Sequence, residues 1–176
     1  MIEAGVSPAS LAFDDELSFA GSIEPLLPIG FRLAYAMLRS REDAEDAVQE
    51  AAMKAWHRRR TFRAGAEPRP WFLAIVANQC RMARRRKGWE SLREATTAEA
   101  AATGPAEFEE ADGLRRALAR LSREDRLALV LRFYLDLPNE EVARTLNVSP
   151  AAARVRVHRA LRRLRPAMEI EGLSDG

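Results

Sequence analysis

The segment LPNEEVARTLNVSPAAARVRVHRALRRLR, Leu137 to Arg165, decides the fold of the second half of the chain. Leu137-Pro138 breaks a preceding helix, and Asn139 can cap a short one carrying Val142, Ala143 and Leu146. Asn147-Val148-Ser149 reads as a three-residue turn, with Asn147 the best non-glycine choice where a positive φ is needed. Ser149 as cap and Pro150 at the first helical position open a last helix that runs to about Arg165. Its apolar stripe is Ala153, Val157, Ala160, Leu161 and Leu164. Arg154, His158 and Arg162 form the stripe on the other side, flanked by Arg156, Arg159 and Arg163. Helix, three-residue turn, arginine-lined helix is the helix-turn-helix pattern. Arginines in the N-terminal half of such a helix can reach guanine edges in the major groove, and later ones bind phosphate. A solvated basic helix shares the charge but not the turn and the cap.

Upstream of this segment, Leu114, Ala117, Leu118 and Leu121 share one face. Ser122, with Asp125 three residues on, is close to a capping box, and Leu127, Val130, Leu131 and Tyr134 form the core stripe of the helix it opens. The first half predicts three helices. One spans Ile23 to Leu38, with Ile29, Leu33, Ala36 and Met37 at helical spacing. A second spans Arg41 to Arg60 on a stripe of Ala44, Val48, Ala51, Ala52, Ala55 and Trp56. Arg63 to Pro70 reads as a loop broken by Gly65, Pro68 and Pro70. A third helix follows from Trp71 to Lys87 and stops at Gly88; it buries Phe72, Ile75, Val76 and either Met82 or Ala83. No stretch alternates with period two, so no strand is expected. The expected fold is all-α: two small helical domains joined by a flexible linker.

Charge divides the chain in the same places. The 176 residues carry a net charge of +2, but residues 1–22 sum to −4, 23–87 to +7, 88–112 to −6, 113–166 to +8 and 167–176 to −3. Two basic blocks flanking an acidic spacer call for a polyanionic partner for each block. The spacer, including ATTAEAAATGPAEFEE from Ala95 to Glu110, is low in complexity. The expected divisions are an extension at 1–22, domains at 23–88 and 113–166, a linker at 89–112 and a tail at 167–176.

Several classes are set aside. One cysteine, Cys80, excludes a disulfide framework, and His57 and His158 are too few and too far apart for a metal site. The apolar run Trp71 to Cys80 is about half the length of a membrane span. The N-terminus has no basic region followed by an apolar one, so no secretory signal is expected. No G-x-S-x-G, phosphate-cradling glycine loop or H-E-x-x-H occurs. The expectation is a soluble, cytoplasmic protein with no membrane insertion, no cofactor, no metal and no enzymatic activity of its own.

Glu42, Asp43, Glu45, Asp46 and Glu50 fall within nine residues of an otherwise basic domain. Favourable placement at a helix N-terminus accounts for the first few. DNA is repelled by such a patch, so any partner it has is a basic protein surface. Asn78 is polar on an apolar helix, and either points outward or has a dedicated partner.

With these residues laid out, the sequence resembles the extracytoplasmic-function (ECF) sigma factors of bacterial RNA polymerase over Ile23 to Arg165. REDAEDAVQEAAMKAW (Arg41 to Trp56) is similar to the family's polymerase-docking region, and PRPWFLAIVANQCRMARRR (Pro68 to Arg86) to the region that recognises and opens the −10 element. The segment from Leu137 to Arg165 is similar to the helix-turn-helix that reads the −35 element. The resemblance implies polymerase contacts at Asp46, Gln49 and Glu50, the family's D-x-x-Q-[DE] positions. It places −10 contacts at Arg63, Asn78, Arg81, Arg84 and Arg85, with Asn78 matching the asparagine associated with an extruded base. For the −35 element the candidates are Ser149, Arg154, Arg156, His158, Arg159 and Arg162. The partners implied are core RNA polymerase, promoter DNA and an anti-sigma factor, with the acidic linker passing through the nucleic-acid channel of the polymerase. Met82 stands where the family often has aspartate, Asn147 where it has glycine, and Ala152-Ala153-Arg154 where it has Thr-Val-Lys. Taken alone, Leu114 to Arg165 also fits a helix-turn-helix regulator that binds DNA without polymerase.

Overall fold

The computed structural model describes residues 16–63, 65–94, 117, 118 and 120–170, the side chains of 87–94 and 166–170 excepted. The expected linker beyond Glu94 and the tail beyond Ile170 lie outside these residues. Every regular element described is helical. In the first half they are α1 (Glu16–Ile23), a tight turn at Glu24–Leu26, α2 (Leu27–Leu38), α3 (Arg41–Arg58), a second tight turn at Arg59–Thr61 and α4 (Pro68–Glu94). In the second half they are α5 (Arg123–Leu129), a wide helical turn at Val130–Tyr134, α6 (Asn139–Leu146) and α7 (Pro150–Ile170).

Local chemistry sets the reversals. Arg39 takes the left-handed conformation at φ 61°, its N–H donating to the Tyr35 carbonyl at 2.8 Å, and so closes α2. Ser40 Oγ accepts the Asp43 N–H at 3.2 Å and opens α3. The inward face of α3 is almost all alanine: Ala44, Ala47, Ala51 and Ala55 are buried beside Val48, which lets α2 and α4 approach closely. Phe72 of α4 is fully buried, and a Cβ at Gly30 of α2 would stand 3.0 Å from its ring. Phe19 of α1 meets Trp56 edge-on at 5.2 Å, and Phe62 meets Trp71 at 4.9 Å. The core of this half therefore reaches back to Phe19, ahead of the boundary expected at Ile23.

Helix α4 departs from expectation at both ends. Pro68 and Pro70, read as breakers, lie in its first turn, where their missing N–H groups cost nothing. It also runs through Gly88 to Glu94, because the roughly 1 kcal/mol penalty of a helical glycine does not by itself end a helix. Met82 is exposed and Ala83 half-buried.

Ser122 Oγ accepts the Asp125 N–H at 3.1 Å and opens α5 as expected. The helix then widens at Val130–Tyr134, where the Leu135 N–H donates to the Val130 carbonyl at 2.9 Å, five residues back. The extra residue shifts the register, so Tyr134 is 50% exposed instead of joining the core stripe. Asp136, at φ 50°, completes the exit. Asn139 does not cap α6; its Nδ2 donates to the Pro150 carbonyl at 3.0 Å and so spans the turn. Asn147 adopts φ 54°, and Ser149 Oγ accepts the Ala152 N–H at 3.2 Å, both as the sequence required. Helix α7 extends to Ile170, and Leu161, expected inside, is 40% exposed.

The two halves pack on one another. A single apolar cluster joins Leu33, Phe72 and Val76 to Leu131, Leu137 and Val142, with α4 against α6 and α2 against the wide turn. Polar contacts cross the same boundary. Arg69 donates through both Nε and Nη2 to the carboxylate of Glu141, whose side chain is only 6% exposed. That hydrogen bonding raises the Arg69 pKa against the lowering effect of burial, and the negative charges of Glu141 and Glu67 add to the rise. Arg144 pairs with Glu67 at 2.7 Å, and Arg32 donates to the Tyr134 carbonyl at 2.9 Å while lying over its ring.

Candidate functional site

Helix α3 buries its alanine face and turns its acids outward. Asp46 and Gln49 are exposed and Glu50 half-exposed. With Asp43, Gln79, Ala83 and Arg86 they line a cleft of about 370 Å³ between α3 and α4. Lys54 ties the floor together: its Nζ donates to Gln79 Oε1 at 2.8 Å and lies 4.0 Å from Glu50. Such an acidic cleft, edged by one arginine, suits a cationic protein segment. Gln79, nearly fully buried beside it, was not singled out from sequence. A polar residue on the helix face that carries Phe72, Ile75 and Val76 was the available signal.

Helix α4 is mostly enclosed by core from Pro70 to Cys80; Trp71 and Ala74 are half-buried, and Asn78 is exposed. Asn78, Arg81, Met82 and Arg85 recur at helical spacing and share one outward stripe. Arg84 points elsewhere, into a second cleft of about 290 Å³ shared with Leu38, Ser40, Asp43, Ala83 and Arg123. Arg63 lies in the loop before α4, outside the helix that carries the other four. Four of the five −10 candidates thus sit on the middle turns of α4, and three of them share a stripe. The neighbouring Cys80 is buried, and burial pushes its thiol up to about 12.

The −35 candidates divide in the same way. Arg154, His158, Arg159 and Arg162 are exposed along α7, behind the Ser149 cap. Arg156 turns inward, its Nη1 3.9 Å from Glu124 of α5, and Arg163 pairs with the buried carboxylate of Asp125. Arg126, on the same helix, is buried; desolvation lowers its pKa first, and the nearby charges of Arg84, Arg39 and Arg123 lower it further. Among the described residues no cluster of three metal-ligating side chains occurs, and no helix is long and apolar enough to cross a membrane.

The comparisons with known proteins match both halves. The description Sigma-70 region 2 fits residues 23–90, and Sigma-70, region 4 fits residues 111–164. The chain belongs to the ECF sigma factors. It is 33% identical over 133 residues to ECF RNA polymerase sigma factor SigM of Mycobacterium tuberculosis, covering 76% of this chain and 68% of SigM. It is 28% identical over 144 residues to RNA polymerase sigma factor SigV of Bacillus subtilis, covering 82% of this chain and 87% of SigV. The fold is similar to that of the sigma factor RpoE from Bartonella quintana, solved in complex with the anti-sigma factor NepR. That match has a TM-score of 0.67 and 26% identity, and covers 86% of this chain and 97% of RpoE. As a member of this family the chain is an alternative sigma factor, which directs promoter recognition and transcription initiation by core RNA polymerase. The reading as a regulator independent of polymerase, which left α3 without a role, gains no support.

Proposed function

We propose that this sigma factor divides its work among three surfaces. Asp46, Gln49 and Glu50 dock on a basic surface of core RNA polymerase. Asn78, Arg81, Arg84 and Arg85, with Arg63 at the loop, engage the −10 element. Ser149, Arg154, Arg156, His158, Arg159 and Arg162 engage the −35 element. The observation that carries this reading is the segregation of charge: the acids stand outward on α3, Asn78, Arg81 and Arg85 on α4, and Arg154, His158, Arg159 and Arg162 on α7. Asn78 suits an extruded base because its amide offers both a donor and an acceptor beside the cationic groups of Arg81 and Arg85. Phosphate contacts by arginine make binding strongly salt-dependent, so promoter selectivity requires polymerase to hold both modules on one DNA. The chain acts as a binding and positioning factor with no catalytic step of its own, in the cytoplasm beside the polymerase. An anti-sigma factor restrains it, as the NepR complex of the similar RpoE suggests.

Size exclusion with core polymerase tests the docking surface. The wild type co-elutes, and Asp46→Arg/Glu50→Arg, with an unchanged helical circular dichroism spectrum, does not. Co-elution of that folded double variant would remove α3 from the docking role.

A further inference from the structure

Glu124 stands in the first turn of α5, where two arginines from different helices meet its carboxylate. Arg81 of α4 places Nη2 3.2 Å from Glu124 Oε2, and Arg156 of α7 places Nη1 3.9 Å from the same oxygen. The first is a −10 candidate and the second a −35 candidate. We propose that Glu124 is an intramolecular counterion that withholds one DNA-contacting arginine of each module while the modules are packed together. This rests on the reading of Arg81 and Arg156 as DNA contacts.

The geometry gives the device a direction. Arg81 reaches Glu124 only because α4 lies against the second half of the chain, through the shared apolar cluster and the Arg69–Glu141 and Arg144–Glu67 pairs. Separating the modules breaks the Arg81 contact at once and leaves Arg156 with Glu124, since both belong to the second module. Arg81 is thereby freed by opening, and Arg156 by the arrival of a phosphate that outcompetes the carboxylate. Both arginines and the acid are about one-third to one-half exposed, so each pair is weak and readily exchanged. Such a contact sets a threshold against stray DNA without opposing a polymerase that engages both modules.

The test uses the full chain without polymerase and a fluorescent duplex of arbitrary sequence, followed by anisotropy at low salt. Removing any acid favours DNA, so Glu124→Gln is compared with Glu140→Gln, an exposed acid of the same module with no ion pair among the described residues. Glu124→Gln is expected to bind about fivefold more tightly than Glu140→Gln. The dependence of log affinity on log salt steepens by about one to two units. Adding Arg81→Gln cancels part of the gain. Should Glu124→Gln destabilise α5, Glu124→Asp keeps the first-turn charge, shortens its reach and gives the same ranking. Equal binding by Glu124→Gln and Glu140→Gln overturns the proposal. If Arg81→Gln and Arg156→Gln still weaken promoter binding by the holoenzyme in that case, their role in DNA contact stands and only the restraint is lost.

Discussion

Helices α4 and α7 both carry arginines proposed to contact DNA, yet they are built in opposite ways. From Pro70 to Cys80, α4 is buried on nearly every side; its arginines crowd into the turns that leave the core. Helix α7 buries a single row, Ala153, Ala160 and Leu164, and is arginine-rich along its length. The first is a pillar of its module with a charged end, and the second is a reading head laid on a scaffold. A substitution in the buried stretch of α4 should therefore act through folding, and one on the exposed face of α7 through the proposed contact with DNA.

The comparison is tested most severely at Phe72. Phe72→Ala leaves a large void at the centre of the first module and is expected to lower unfolding free energy by about 3–5 kcal/mol in urea titrations. Val155→Ala on the exposed side of α7 should change it by less than about 0.5 kcal/mol. Similar losses at the two positions would erase the distinction between pillar and reading head. Gly30→Ala is the converse insult: its new methyl meets Phe72 and Val76 at 3.0 and 3.4 Å, for an expected loss of about 1–3 kcal/mol by the same measurement. Ser149→Ala removes the cap of α7 and should cost about 1 kcal/mol, with no change in polymerase co-elution.

The smallest effect concerns Cys80, at the boundary between the buried and charged parts of α4. Its folded pKa is raised above the unfolded value of about 8.5, so the native state keeps a proton that the unfolded chain releases. Its contribution to stability is full below pH ~8.5 and declines as pH rises through that value toward 12. Alkylation by iodoacetamide at pH 8.5 should be slow in the native protein and fast in urea. Rapid native alkylation would place Cys80 outside the core.

What the sequence disclosed follows the range of the forces involved. The turn at Asn147 and the caps at Ser122 and Ser149 were legible because each is settled within four residues. The start of α4 was misread because proline tolerates a first turn as readily as it breaks an interior. Tyr134 was misplaced because the wide turn at Val130 shifts the helical period, and no residue type there announces it. The packing of the modules left no local trace: Arg69 and Glu141 are 72 positions apart, and neither is unusual where it stands. Of the candidate site, the residue types were legible, but the rotation of Arg84 and Arg156 away from their neighbours depends on what packs beside them.

The apolar cluster shared by the two modules gives their association a temperature signature. Separating Val142 and Leu137 from Phe72 and Val76 exposes nonpolar surface, so opening carries a positive heat-capacity change. Burial of that kind weakens on cooling, whereas the ion pairs around it answer mainly to salt. Cold and high salt thus loosen different parts of the same seam, and the combination opens the molecule further than either alone.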